Sequence, residues 1–202
     1  MAYRDLMNLI SDVRNELKSD YTFEIEVVGS YARDMITYDE NSNVGYDFDV
    51  NVCPYYDEDD YTPKQIKLLF KDALDKHSWK YNYDYAEDST SVLTIKVKDR
   101  INSRIIHSVD FCFVSKYQEN GEIRYQYIHR NKVHETYVWQ LRSKGYHDLP
   151  KKIEWINRNN LGDEVFDLYI KKKNKNNNPH YHSRTIFAIT VNEVCQKNGY
   201  FD

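Results

Sequence analysis

Apolar residues recur along this chain with two different periods, and polar punctuation marks where one period gives way to the other. Tyr3, Leu6, Ile10, Val13 and Leu17 fall three or four residues apart, which predicts an amphipathic helix ending near Ser19. A strand is expected from about Thr22 to Val28, then a loop rich in Asp, Asn, Ser and Gly over Thr37 to Gly45. A second strand, Tyr46 to Cys53, is expected to stop at Pro54. After an acidic loop over Tyr55 to Tyr61, Thr62-Pro63 reads as an N-cap followed by proline at the first helical position. Ile66, Leu69, Phe70, Ala73 and Leu74 give that helix one apolar stripe. Lys80 to Tyr85 and Ser91 to Lys98 read as paired strands, and Arg104 to Val114 as another. Asn120-Gly121 signals a hairpin into Glu122 to Ile128.

Beyond Arg130 the pattern turns helical. Helices are expected over Val133 to Leu141, with Gly145 as a stop, and from Leu149-Pro150 through Ile153 and Ile156. A third runs from Asp163 to about Lys173, with Phe166, Tyr169 and Ile170 inward. The last is His180 to Lys197, with Phe187, Thr190, Val191, Val194 and Cys195 on one face and Gly199 as C-cap. A mixed β-sheet with flanking helices, followed by a C-terminal helical lobe, is an α+β design. Residues 1–130 would form the α/β core and residues 131–202 the helical lobe packed on it.

Composition narrows the possibilities without deciding among them. A chain of 202 residues buries enough surface for one domain or two small ones without staples. Cys53, Cys112 and Cys195 are odd in number and widely spaced, which supports neither a disulfide framework nor a zinc site and suits buried thiols in a reducing compartment. The opening MAYRDLMNLI has no signal-peptide pattern and no segment approaches a membrane span, so a cytoplasmic protein with no membrane partner is expected. The net charge of −4 argues against wholesale coating of nucleic acid. It is unevenly spread: residues 1–130 carry 16 Lys and Arg against 24 acids, and residues 131–202 carry 12 against 8. An acidic half beside a basic one suits a metal–polyphosphate substrate, although the lysines and asparagines from Lys171 to Asn178 read rather as a solvated helix end and loop.

Candidate chemistry concentrates between Glu26 and Cys53. In a strand alternate residues share a face, so Asp47 and Asp49 project together while Phe48, Val50 and Val52 turn to the core. Two adjacent carboxylates repel each other, and a divalent cation relieves the repulsion. Mg²⁺ in particular takes one or two carboxylates together with phosphate oxygens. Upstream, Gly29 at a strand end permits close approach of a ligand, and Ser30 can bond a phosphate oxygen. If Ser30 opens a short helix over SYARDM, free amides there would face the same anion.

Gly-Ser, a spacer, Asp-x-Asp on a strand and a lone Asp on a later strand together resemble the DNA polymerase beta-type nucleotidyltransferase superfamily. The later Asp is Asp110, which alternates against Val109, Phe111 and Phe113 and shares its face with Ser108 and Cys112. The resemblance implies that Asp47, Asp49 and Asp110 are catalytic and hold two Mg²⁺ or Mn²⁺ ions. It also implies that Asp110 helps to activate an attacking hydroxyl, that Gly29 and Ser30 hold an NTP's phosphates, and that the helical part closes over the nucleotide. Positive charge for the phosphates is available from Arg33 and from Lys151, Lys152 and Arg184, residues that are more often surface cations than phosphate ligands. His180-x-His182 lacks ligand partners and reads as surface, and His107 reads as a satisfied core histidine.

The expected activity is transfer of an NMP from an NTP to a hydroxyl acceptor with release of pyrophosphate. The acceptor (small molecule, RNA end, nucleotide or protein) and the oligomeric state are left open. The alternative is a catalytically silent nucleotide-binding regulatory or antitoxin-like module of the same fold. A plain RNA-binding scaffold suits the acidic first half least, and an acidic edge strand kept soluble by its Asp residues is the non-functional reading of the motif.

Overall fold

The structure is a computed structural model and describes residues 2–33, 35, 45–57, 59–119, 121–176 and 183–200. The chain divides into two compact units, Met1–Leu141 and Arg142–Asp202. The first holds helices α1 (Ala2–Leu17) and α2 (Pro63–His77) with strands β1 (Thr22–Val28), β2 (Tyr46–Tyr55), β3 (Glu87–Asp88), β4 (Leu93–Asp99), β5 (Arg104–Glu119), β6 (Glu122–Asn131) and β7 (Thr136–Leu141). Strand order is β1-β2-β5-β4-β3, while β6 pairs β5 and β7 pairs β6. Among the described residues only β2 and β5 run parallel; the other pairs are antiparallel.

Burial explains why these residues form these elements. Leu6, Leu9, Ile10, Val13 and Leu17 line one stripe of α1, and Ile66, Phe70, Ala73 and Leu74 line one of α2. Both stripes meet the sheet face made by Phe23, Phe48, Val50, Val52, Val109, Phe111 and Phe113. Helix α2 begins as its sequence suggests: Gln65 donates its N–H to the Thr62 hydroxyl and returns a side-chain bond to the Thr62 backbone.

Several expectations fail for identifiable reasons. Lys80 to Tyr85 is not a strand: Ser78–Tyr81 continues α2 as a 3-10 turn, and Asn82 takes a left-handed conformation (φ 63°) that ends any extension. The antiparallel partner of β4 is instead the two-residue β3. Strand β2 runs on to Tyr55, because its parallel pairing with β5 ends at Val52 and Pro54 needs to satisfy β1 alone. The segment Val133 to Leu141 is not helical. Thr136–Leu141 is a strand whose Tyr137 and Trp139 pack on the core while Val138 stays exposed. Val133, Tyr137 and Leu141 also lie four apart, which mimics a helix stripe, but β-branched and aromatic residues at period two prevail here. Glu119 of β5 pairs with Glu122 of β6; Asn120 of the expected hairpin lies outside the described residues, as does the expected loop Thr37 to Gly45 apart from Gly45 itself.

The second unit holds α3 (Lys144–Arg158), α4 (Gly162–Lys175) and α5 (Ser183–Lys197). Gly145 lies in the first turn of α3 rather than stopping an earlier helix, and Pro150 sits inside α3 rather than opening it. In α4 the buried residues are Val165 and Tyr169, while Phe166, expected inward, is exposed. Phe187, Thr190, Val191, Val194 and Cys195 of α5 are all buried. Gly199 (φ 83°) ends α5, with Tyr200 N–H donating to the Cys195 carbonyl at 2.9 Å. Among the described residues no helix is long and apolar enough to cross a membrane.

A buried ionic knot ties α2 to the far side of the sheet. Lys67 is fully buried, with Nζ 2.8 Å from Asp88 Oδ1 and donating to the Ser89 carbonyl at 3.0 Å. Arg130 lies 3.3 Å from the other Asp88 oxygen, to which the Tyr137 hydroxyl donates at 2.7 Å. Burial lowers the pKa of Lys67, and Asp88 opposes that shift. Removing one partner of a buried pair costs about 3–5 kcal/mol, so Asp88→Ala should lose that much stability in urea denaturation. Lys67→Met should cost less, because Arg130 and Tyr137 still hold Asp88.

Candidate functional site

The site begins where β1 ends. Val28, its last residue, pairs with Asp49 of β2. Gly29 follows at φ 74°, a conformation that glycine adopts without strain. A Cβ at this position would lie 1.8 Å from Asp49 Oδ2, so the carboxylate occupies the space that any side chain would need. The chain then makes a single 3-10 turn, Tyr31–Arg33, in which Arg33 and Met35 donate their N–H groups to the Ser30 carbonyl at 3.3 and 2.9 Å. One turn presents fewer free amides than the short helix expected over SYARDM. Tyr31 anchors it from beneath: its ring stacks on Tyr3 at 5.1 Å and lies 4.8 Å from Phe48.

The parallel pairing of β2 with β5 supplies the carboxylates. Asp49 pairs with Asp110, and Asp47 pairs with Ser108. Paired residues of neighbouring strands share a face. Asp47, Asp49 and Asp110 therefore share the face opposite the one that Phe48, Val109 and Phe111 give to the core. Antiparallel pairing with β4 extends this polar face by setting Thr94 beside Asp110 and Lys96 beside Ser108. The structure thus brings Gly29, Ser30, Asp47, Asp49 and Asp110 together on adjoining strands, with Arg33 half-buried one turn on. The alternation of Thr94 and Lys96 against Leu93, Ile95 and Val97 already marks both as facing away from the core.

Each carboxylate has its own neighbour. The Ser108 hydroxyl donates to Asp47 Oδ1, and the Thr94 hydroxyl donates to Asp110 Oδ1 at 2.5 Å. Asp49 rests against Gly29. Lys96 reaches Glu87 of β3 at 2.6 Å. Burial raises the pKa of Asp110; the Thr94 bond opposes the rise, the Asp47 charge adds to it and Lys96 opposes it. Among the described residues no three His, Cys, Asp or Glu side chains converge as a ready-made metal cage. The donor set nevertheless fits a hard divalent cation: it is all carboxylate oxygen, and burial penalises the charge of Asp110.

The remaining candidates lie elsewhere. Lys151 is exposed on α3, Lys152 donates to Asn192 at 2.9 Å, and the Arg184 guanidinium sits 4.6 Å from the Tyr146 ring centroid, all within the second unit. His107 is a core residue as expected: it stacks on Tyr46 at 5.5 Å and its Nε2 lies 3.0 Å from the Tyr83 hydroxyl. Burial lowers its pKa. Its Nδ1 is buried with no hydrogen-bond partner among the described residues, so it is only half satisfied. His180 and His182 lie outside the described residues.

Comparison by sequence finds no matching family model and no matching curated protein. Comparison by structure does find relatives. The cyclic AMP-GMP synthase DncV of Vibrio cholerae, with a linear intermediate bound, superposes over 98% of this chain and 54% of its own, with a TM-score of 0.60 and 15% identity. The cyclic dinucleotide synthase CdnE of Elizabethkingia meningoseptica, with GTP bound, superposes over 92% of this chain and 68% of its own, with a TM-score of 0.53 and 17% identity. The fold is that of a DncV-like nucleotidyltransferase. The chain spans about half the length of DncV and about two thirds of CdnE. A further DncV structure carries alanine in place of two aspartates separated by one residue.

Two outcomes follow from this geometry. An alanine in the left-handed region costs roughly 1–2 kcal/mol, and here its methyl also collides with Asp49, so Gly29→Ala should lose at least that in urea denaturation. Asp110 has a folded-state pKa above its ordinary value of 3.8, so its contribution to stability is present below that value and is lost as pH rises through the folded pKa. In EDTA, Asp110→Asn should therefore melt with wild type at or below about pH 4 and above it at neutral pH, by about 2–4 °C if roughly 1 kcal/mol is relieved.

Proposed function

We propose that this protein is a metal-dependent nucleotidyltransferase that moves an NMP from an NTP to a hydroxyl acceptor and releases pyrophosphate. The observation that carries the reading is the β2–β5 register, with Asp49 beside Asp110 on one face and against Gly29 at the adjoining strand end. The DncV-like fold supports it, as does the presence of an Asp-x-Asp spacing among the residues replaced in one DncV structure.

In this reading the Gly29-Ser30 bend receives the triphosphate: the absence of a side chain lets phosphate oxygens approach, and the Ser30 hydroxyl donates to one of them. Asp47, Asp49 and Asp110 would hold divalent cations, two in the expected form, which supply charge neutralisation at the attacking and leaving oxygens. The acceptor oxygen bonds to the α-phosphorus, the bond from that phosphorus to pyrophosphate breaks, and the hydroxyl proton passes to Asp110. Arg33 lies closest in sequence to the bend and is the first candidate for a further phosphate contact; Lys151 and Arg184 of the helical unit are the others. The unit that carries the sheet, Met1–Leu141, would then serve as the catalytic core, and the helices from Arg142 onward as the C-terminal lobe.

The silent nucleotide-binding module is the second reading, favoured by the carboxylates' failure to converge among the described residues. Pyrophosphate release decides between them. With each NTP and Mn²⁺, wild type should release pyrophosphate, and Asp47→Asn with Asp49→Asn should reduce release to background with the circular dichroism spectrum unchanged. Release that survives the double substitution removes these residues from the mechanism; stabilisation by NTP and Mn²⁺ with no release selects the silent module.

A further inference from the structure

Asp110 lies on β5, between β2 and β4, and burial works against its charge. Among the described residues its side chain accepts one side-chain hydrogen bond, from Thr94 Oγ1 to Oδ1 at 2.5 Å. Lys96, the other polar residue that β4 brings near, is instead turned to Glu87 at 2.6 Å. The Thr94–Asp110 pairing is a cross-strand pair in register, so the hydroxyl is placed by the sheet ladder and not by a mobile loop.

We propose that Thr94 is a positioning residue for Asp110: its hydroxyl fixes one carboxylate oxygen and presents the other to a divalent cation. The terminal torsion of Asp is broad and roughly two-fold, so a carboxylate without such a donor has no preferred oxygen to offer. A charge-assisted bond from a strand-borne hydroxyl removes that freedom before the cation arrives. Thr94 thereby does for Asp110 what a carboxylate or carbonyl does for a metal-bound histidine, orienting a ligand without touching the ion. The proposal rests on the nucleotidyltransferase reading.

The ordinary explanation for a threonine here is its β-branch, which suits a strand. Two substitutions separate the explanations. Thr94→Val keeps the branch and volume and removes the donor, whereas Thr94→Ser keeps the donor and removes the branch. The readout is Mn²⁺ affinity by titration calorimetry, with melting in EDTA measured in parallel. Orienting partners of metal ligands typically contribute 10–100-fold in affinity, so Thr94→Val should weaken Mn²⁺ binding by about that much while Thr94→Ser stays within about threefold of wild type. Equal or tighter binding by Thr94→Val overturns the proposal, as does a Thr94→Ser variant that loses affinity to the same extent. Wild-type protein that takes up no Mn²⁺ overturns the nucleotidyltransferase reading together with this proposal; wild type that binds while Thr94→Val binds equally well overturns the proposal alone.

Discussion

Burial of Phe48 is the constraint on which the rest depends. Its ring is 1% exposed and is surrounded by Tyr31, Tyr46 and His107. Because side chains alternate along a strand, a phenylalanine held inward obliges Asp47 and Asp49 to face outward on either side of it. A slip of one residue would bury both carboxylates and expose the ring, exchanging a favourable transfer for two unfavourable ones. The same ring is the seat for Tyr31, so the bend at Gly29-Ser30 is held by the residue that orients the aspartates. Core packing and site geometry are here one arrangement seen from two sides of a sheet.

The polar side shows how such a face is tolerated. Its carboxylates would repel one another if left bare, and the fold answers by giving each a separate neighbour: a serine hydroxyl for Asp47, a glycine surface for Asp49 and a threonine hydroxyl for Asp110. The compensation is incomplete, since burial still raises the proton affinity of Asp110. A residual penalty of this kind is what a bound cation would relieve, and sites that bind or react commonly hold stability in reserve in this way. The knot of Lys67, Asp88, Arg130 and Tyr137 is the contrasting case: its charges meet inside the molecule and serve to join α2 to β3, β6 and β7.

Where sequence reading failed, two periods coincided or a tertiary partner took over. Tyr137 and Leu141 fit a helical stripe with Val133, yet Tyr137 and Trp139 pack on the core only if the chain is extended, and the β6 edge was available to pair with it. Lys80 to Tyr85 has the composition of a strand, but the end of α2 runs on through it as a tighter turn before Asn82 reverses the backbone. In α4, choosing Val165 over Phe166 as the buried residue depends on how α5 lies against it.

Local pattern by itself determined the α+β class, α1 with its stripe, β1, the capped start of α2, and the outward direction of Asp47, Asp49 and Asp110, because each is set by periodicity or by residues adjacent in the chain. Only the tertiary structure decided that β2 and β5 lie side by side and parallel, so that Asp49 meets Asp110 from 61 residues away in the same sense that Asp47 meets Ser108. It also decided that Asp49 lies on Gly29 and that Thr94 reaches Asp110. Strand neighbours and register follow from how two helices and a sheet share one core, a collective balance of packing that no short stretch of residues contains.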